Sequence, residues 1–332
     1  MKVAIITFTA LACDLGQKIV SRLDKWEQVE SDLCRCGSGG LDRWTRDHFS
    51  SHDVLLFVGA TGIAVRAIAP YIRNKVSDPA VVVVDELGKY VIPVLSGHIG
   101  GANRFARRLA GELSATPVIT TATDLTGAFA VDSWASENGL AILNTDRIKA
   151  VSSKLLAGRT VYMRCDFPVV GELPDGVVLD ASRYEVALTA ERNDTDEVLA
   201  LVPPVLTVGI GCRRGADEEQ VRQAFETAMQ ESGYLKEAVF RVCSIDIKAD
   251  EAGIIKFCED NGLEFKTFSE EELKSVEGEF SSSQFVKSVT GVDNVCERSA
   301  VLGSGGRLVL SKRSQNGVCV AIAISEYSAS FK

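Results

Sequence analysis

The sequence predicts an α/β protein with a doubly wound, flavodoxin-like parallel-sheet domain at the N-terminus, a small middle region and a second α/β domain at the C-terminus. Three observations predict it. Short aliphatic runs such as Val54-Leu55-Leu56-Phe57-Val58 and Val81-Val82-Val83-Val84 recur, and a strand apolar on both faces is one covered on both faces. Helical patterns alternate with these runs, which is the order of βα units. Predicted strand ends at 58, 95 and 210 each lead into a glycine-rich turn.

In order, Val3–Ile6, Val54–Val58, Val81–Val84, Val91–Leu95 and Pro117–Thr120 read as strands, with helices over Ile63–Ile72 and Ala102–Leu113. This domain is set at 1–140. The middle region, 141–204, carries a helix over Asp146–Leu156, a strand over Thr160–Met163 and a polar stretch ending at Asp194. Pro203-Pro204 is a rigid connector, because consecutive prolines disfavour helix and remove ladder donors. In the last domain, 205–332, strands are expected at Leu206–Ile210, Val239–Ile245, Arg307–Leu310 and Cys319–Ile324, and helices at Asp217–Glu231 and Asp250–Asn261.

A chain of 332 residues exceeds the roughly 250–300 at which one core stops growing, so more than one domain is expected. The 36 basic and 45 acidic residues leave a charge of −9, which argues against nucleic acid or an anionic membrane as partner. An anionic ligand must then be held by local cations and amides. The nine cysteines form no paired CxxC framework, and reduced thiols in a cytoplasmic protein are expected. Cys34 and Cys36 stand beside Gly37 to Gly40 but are too little to specify a metal site, so no protein-bound metal is expected. No run approaches the roughly 20 apolar residues of a membrane span.

Candidate chemistry gathers at the turns. Gly59, Thr61, Gly62 and Arg66 follow a strand and open a helix, where free N–H groups favour an anion; a tight structural turn explains them equally. Ser96-Gly97-His98-Ile99-Gly100-Gly101 holds one of only three histidines, among glycines, in the setting of a titrating loop residue rather than a core one. His48 and His52 read as surface histidines. Asn103 and Arg104 begin the next helix, and a cation in a first turn is poorly placed unless an acidic ligand offsets it. Thr123 and Asp124 leave a strand in a hydroxyl-rich loop, with Asp132 opening the next helix; capping accounts for these as well as ligand contact does. Gly211 and Arg213 repeat the strand-glycine logic with an arginine fork suited to carboxylates. Cys212 has no histidine near it in sequence and reads as structural. Glu297 follows Gly291-Val292-Asp293-Asn294 at an expected helix start.

In combination, Gly59 to Pro70, Val81 to Asp85, Ser96 to Asn103 and Ile119 to Asp124 resemble the N-terminal domain of the CbiG family of cobalamin biosynthesis, and Val208 to Gly215 with Gly291 to Glu297 resembles its C-terminal domain. The resemblance implies cobalt-precorrin-5A hydrolase activity. The δ-lactone joining the ring A acetate to C20 is opened, and C20 leaves as acetaldehyde to give cobalt-precorrin-5B. Cobalt belongs to the substrate, so no cofactor is implied; neighbouring enzymes of the pathway stay open as partners. Cys296-Glu297-Arg298 departs from the smaller residues and proline expected there.

For this chemistry His98 is the expected general acid or base, with Asp85 orienting it or a water and the amides of Gly100 and Gly101 near the oxyanion. A non-catalytic corrinoid carrier is the alternative, since no nucleophilic dyad is apparent in the sequence. Glycine loops alone would also suit a nucleotide- or sugar phosphate-binding enzyme.

Overall fold

The computed structural model describes residues 1–36, 40–74, 77–193 and 195–331, without the side chains of Asp124 and Phe285. Gly37 to Gly39, Asp194 and the Asp124 side chain, all weighed above, lie outside the described residues. The chain forms two compact units, one of residues 1–138 with 148–159, the other of 139–147 with 160 onward. Among the described residues no helix is long and apolar enough to cross a membrane.

The first unit holds β1 (Lys2–Thr7), α1 (Ala10–Leu23), β2 (Glu30–Arg35), α2 (Gly40–Phe49), β3 (Val54–Val58), α3 (Thr61–Ile68), β4 (Ala80–Val84), β5 (Tyr90–Leu95), α4 (Ala102–Leu113), β6 (Thr116–Pro117), α5 (Ala122–Thr126) and α6 (Val131–Glu137). Its sheet runs β2-β1-β3-β4-β5-β6. The strands β1 to β4 are parallel, and β3 and β4 are buried along their whole length. Val3, Ile5, Val54, Leu56 and Val82 pack against Ile19, Phe105 and Leu109 on one face. On the other, Ala4, Ile6, Leu55, Phe57 and Val83 meet Trp44, Ala64 and Ile68. Helices on both faces are the doubly wound arrangement that the aliphatic runs required.

One strand departs from it. β5 pairs antiparallel with β4, Val91 opposite Val84 and Leu95 opposite Val81. The link Asp85–Lys89 is too short for a parallel crossover, which needs about a dozen residues or more, so it turns back as a hairpin. Gly88 takes φ +65° in that turn, and the Asp85 carboxylate accepts from the N–H groups of Leu87 at 3.2 Å and Tyr90 at 2.6 Å. A register shift lies beside Pro93, which has no N–H to give the ladder.

The second unit holds β7 (Ala141–Leu143), then, after α7 (Ile148–Leu156) of the first unit, β8 (Val161–Cys165), β9 (Val169–Val170), β10 (Val177–Leu179), β11 (Val186–Leu188) and β12 (Leu199–Val202). All but β9 build the sheet β10-β8-β11-β12-β7. It continues with β13 (Leu206–Cys212), α8 (Glu218–Ser232), β14 (Val239–Ile245), α9 (Ala252–Asn261), β15 (Glu264–Phe268), α10 (Glu270–Ser275), α11 (Gln284–Thr290), α12 (Val295–Ser304), β16 (Arg307–Gln315), β17 (Val318–Ile324) and β18 (Ala329–Ser330). The sheet here is β15-β14-β13-β17-β16, while β18 pairs with β9. Pro203-Pro204 runs between these two larger sheets inside one core, with Val202 and Val205 buried beside Ala190, Leu206, Val208 and Phe225.

Candidate active site and ligand pocket

The hairpin divides the residues expected at one site. At the C-terminal edge of the parallel strands, the Gly59 N–H donates to the Val84 carbonyl at 2.8 Å, and Asp85 follows Val84 directly. The Ser96–Gly101 loop leaves β5 beside Val81, at the opposite edge, roughly 10 Å or more away at about 3.3 Å per residue along a strand. Asp85 therefore does not orient His98; its carboxylate is given to the turn that reverses the chain. Gly59, Thr61, Gly62 and Arg66 likewise lie apart from His98. Gly59 is covered by Phe8, whose ring would lie 2.9 Å from an added Cβ.

The histidine loop is folded on itself. Ser96 has φ +54° and donates its hydroxyl to the Asp78 carbonyl at 2.9 Å. Gly100 comes so close that an added Cβ would stand 2.4 Å from that of Ser96. The N–H of Gly101 donates to the His98 carbonyl at 2.9 Å, those of Ala102 and Asn103 to Ser96 and Gly97. Gly101, at φ +77°, starts α4. Its N–H is committed to the loop and is not an oxyanion donor, contrary to expectation; Ser96 and Gly100 close the turn.

His98 is gripped at both nitrogens. Nδ1 lies 3.2 Å from Oδ1 and 3.3 Å from Oδ2 of Asp132, in the first turn of α6. A carboxylate at neutral pH only accepts, so Nδ1 carries the proton and the neutral ring presents its lone pair at Nε2. The Thr123 hydroxyl is 3.1 Å from that nitrogen. Asp132 is 5% exposed against 18% for the His98 side chain, so the carboxylate lies behind the ring and the imidazole reaches solvent. Buried Asn103 donates from Nδ2 to Thr121 Oγ1 at 2.9 Å and so ties α4 to the threonine loop. A hydroxyl, a histidine and a carboxylate in hydrogen-bonded sequence make the arrangement in which a base is oriented by one partner and faces an O–H with the other. Asp132, read above as a helix opener, is the orienting residue that the sequence concealed.

Around this group lies a polar cavity of about 180 Å³, lined by Gly97, His98, Asn103, Arg104, Thr123 and Ser133 among others. Arg104, expected at a ligand, is thus at the mouth of the histidine site, and Arg107 joins it. On the same helix Arg108 stacks over Trp26 at 3.7 Å.

The second unit carries a larger pocket, about 690 Å³, at the C-terminal ends of parallel β13 and β14. This is where an open α/β sheet binds ligands. Close packing of α12 shapes it: a Cβ on Gly209 would lie 1.8 Å from the Cys296 carbonyl oxygen, and one on Gly303 2.4 Å from Cys243 Sγ. The helix consequently presses on the sheet with its N-terminal end at the pocket. Gly211, Ile247, Val286, Val289, Val295 and Val318 give apolar walls, while Arg213, Arg214, Lys248 and Lys312 bring positive charge.

Gly211 and Arg213, both expected at a ligand, line this pocket. Arg213 N–H donates to the Gly317 carbonyl at 3.1 Å, fixing the arginine against the turn between β16 and β17. Lys248 bonds Glu251 at 2.8 Å, and the same carboxylate accepts the Gly215 N–H at 2.7 Å. Burial would raise the Glu251 carboxyl, but Lys248, the Gly215 N–H and Arg214 outweigh it and hold it below the usual carboxylate range. Cys212 is pushed up by burial despite nearby Lys248, so its thiol stays protonated at neutral pH.

Glu297 does not line the pocket. It is 1% exposed and accepts from Ser281 N at 2.8 Å, Ser281 Oγ at 3.0 Å, Asn294 Nδ2 at 2.8 Å and Lys312 N at 2.7 Å. These bonds saturate the carboxylate, so Glu297 clasps β16 to the start of α12 and has no lone pair to offer a ligand. Asn294 caps that helix, accepting the Glu297 N–H at 2.9 Å. The unexpected Arg298 bonds Asp293 at 3.1 Å and the Val276 carbonyl at 2.8 Å.

Comparison with known proteins agrees along the chain. Residues 43–124 match the family model described as Cobalamin synthesis G N-terminal, and residues 206–323 that described as Cobalamin synthesis G C-terminus. A cobalt-precorrin-5A hydrolase of Salmonella typhimurium is 35% identical over 86% of this chain and 86% of its own. One of Priestia megaterium is 30% identical over 93% of this chain and 88% of its own. The crystal structure of a cobalamin biosynthesis protein G homolog from Sulfolobus solfataricus covers 98% of this chain and 97% of its own, at 23% identity and a TM-score of 0.43. With both halves matched and relatives similar over nearly the whole length, this chain belongs to the cobalamin synthesis G, or CbiG, family.

Proposed function

We propose that this protein is a cobalt-precorrin-5A hydrolase, opening the δ-lactone of its substrate and releasing the C20 fragment as acetaldehyde. The observation that carries this reading is the similarity, over 86% of both chains, to a relative named for that activity. The histidine site suits the chemistry. Lactone opening needs a base for the attacking O–H, and Asp132 holds His98 in the tautomer whose Nε2 accepts a proton. The protonated ring then returns it to the departing alkoxide. Carbon–carbon cleavage needs a hydroxyl proton removed as the C20 carbonyl forms, and the same nitrogen can take it. The Thr123 hydroxyl lies 3.1 Å from that nitrogen, and an attacking water would take its place at Nε2 with the hydroxyl beside it.

Substrate binding fits the second pocket. A tetrapyrrole is a broad apolar disc edged with acetates and propionates. A cavity of about 690 Å³ with aliphatic walls and with Arg213 and Lys312 on its lining, beside the acid-paired Arg214 and Lys248, offers both kinds of contact, and its size lies within the roughly 300–1,000 Å³ of small-molecule sites. The test is direct. Purified protein is incubated with cobalt-precorrin-5A, and acetaldehyde is measured together with the mass of the corrinoid. One acetaldehyde per corrinoid consumed is expected; tight binding without acetaldehyde would make the protein a carrier instead.

A further inference from the structure

A second group of titratable side chains lies on the other side of the first unit's chemistry and is used by nothing described so far. The turn of α2 continues past Phe49, the His52 N–H donating to the His48 carbonyl at 3.1 Å. Side chains four apart on such a turn point the same way. Asp32, on β2, faces them: Oδ2 is 3.5 Å from His48 Nε2, and Oδ1 is 3.6 Å from His52 Nε2. One ligand atom from each of the three residues falls within 4.8 Å of the others.

The remaining ring nitrogens decide what these atoms can do. His48 Nδ1 lies 2.7 Å from the Trp44 carbonyl oxygen, which only accepts, so Nδ1 holds the proton. Ser51 Oγ donates to the Asp47 carbonyl at 2.8 Å, and its lone pair is left to take the His52 Nδ1 proton at 3.0 Å. Each ring turns its Nε2 toward the Asp32 carboxylate. Two imidazole nitrogens and a carboxylate that converge in this way are a donor set able to hold one cation between them. The rings are also held in place. Trp44 stacks on His48 with centroids 4.9 Å apart and planes 24° from parallel, and hydrogen bonds at Nδ1 are the usual way a metal-binding imidazole is aimed.

We propose that Asp32, His48 and His52 form a site for a divalent transition ion of the zinc class, binding through the two Nε2 atoms and one carboxylate oxygen. Ligands about 2.0–2.1 Å from a tetrahedral zinc lie about 3.3 Å apart; one ligand atom from each of the three residues already falls within 4.8 Å of the others, so rotation of the side chains by about 1.5 Å or less closes the set. Two imidazoles and one carboxylate suit zinc, cobalt(II) or nickel over calcium and magnesium, which favour all-oxygen sets. Three protein ligands leave a fourth position to water. The ion ties the edge strand β2 to the end of α2. Cys34 and Cys36 take no part, since they pack with Ala4 and Phe57 in the core beneath.

The experiment uses chelator-stripped, full-length protein titrated with Co²⁺ and then Zn²⁺. One equivalent of Co²⁺ with visible d–d absorption, displaced by one of Zn²⁺, is expected, and Zn²⁺ should raise the thermal midpoint. Asp32→Asn and His52→Gln, each checked for folding by circular dichroism, should weaken binding by about 10–100-fold or more and abolish the thermal shift. Cys34→Ser should bind like the wild type. No stoichiometric binding by the wild type, or equal affinity in wild type, Asp32→Asn and His52→Gln, would overturn the site.

Discussion

His98 and Asp132 separate two effects that a single substitution would merge. Replacing His98 by Ala removes the proposed base and should lower acetaldehyde release by roughly 10²–10⁴-fold, with corrinoid binding intact by difference spectroscopy. Asp132→Asn keeps the size of the buried side chain but offers an N–H as readily as an oxygen, which lets the ring carry its proton on the wrong nitrogen. A fall in kcat of about 10²-fold or more is expected with KM little changed. Wild-type kcat in either variant would remove the pair from the reaction. His98 was legible in the sequence because a lone histidine among glycines at a strand end has few structural reasons to be there. Asp132 was not, because an acidic residue in a first helical turn is ordinary helix chemistry, and its partner is 34 positions away.

At the scale of elements, the close approach of α12 to β13 is the feature most open to test. Gly209→Ala would set a methyl carbon 1.8 Å from the Cys296 carbonyl oxygen. Backbone on both sides must part, so the second unit should lose roughly 3 kcal/mol or more of stability, read as a lower urea midpoint. Gly111→Ala, where nothing stands within 4 Å, is the control and should be neutral or slightly stabilising. Hydrophobic runs told which strands are buried on both faces, and β1, β3 and β4 follow from them. They carry no direction, so the reversal of β5 was missed although the short link Asp85–Lys89 contained it. The brief strands β10, β11 and β12 were missed for another reason. Strands of three or four residues are too short for a period of two to be read, and their burial comes from neighbours far along the chain.

For the whole molecule, the net charge of −9 repels an anionic substrate at a distance, so local cations must do the binding. Arg213→Gln should weaken cobalt-precorrin-5A binding about ten-fold or more at constant ionic strength. Arg22→Gln and Arg66→Gln, outside both cavities described, should leave affinity within about two-fold of the wild type. Calorimetric titration distinguishes these outcomes, and equal affinity for all three variants would put the corrinoid elsewhere. A second expectation concerns the prolines. Val202 and Val205 are buried in one core with Ala190 and Phe225, so protein nicked at a protease site placed between Pro203 and Pro204 should keep its two pieces together in gel filtration. Separation into independently soluble pieces would show that 205–332 stands apart as a domain.

The division of the chain into units also bears on its synthesis. Strand β7 belongs to the second unit, yet it is made before α7, which completes the first, and its partner β12 follows only at Leu199–Val202. At about 5–20 residues per second, a ribosome needs roughly 3–12 seconds to travel from one strand to the other. During that interval the first unit can close around α7 while Ala141, Ile142 and Leu143 wait as an unpaired aliphatic segment on a nascent chain. A pause in translation between Arg159 and Leu199 would prolong that exposure, and synonymous codons there should influence yield in a way that those after Val202 do not.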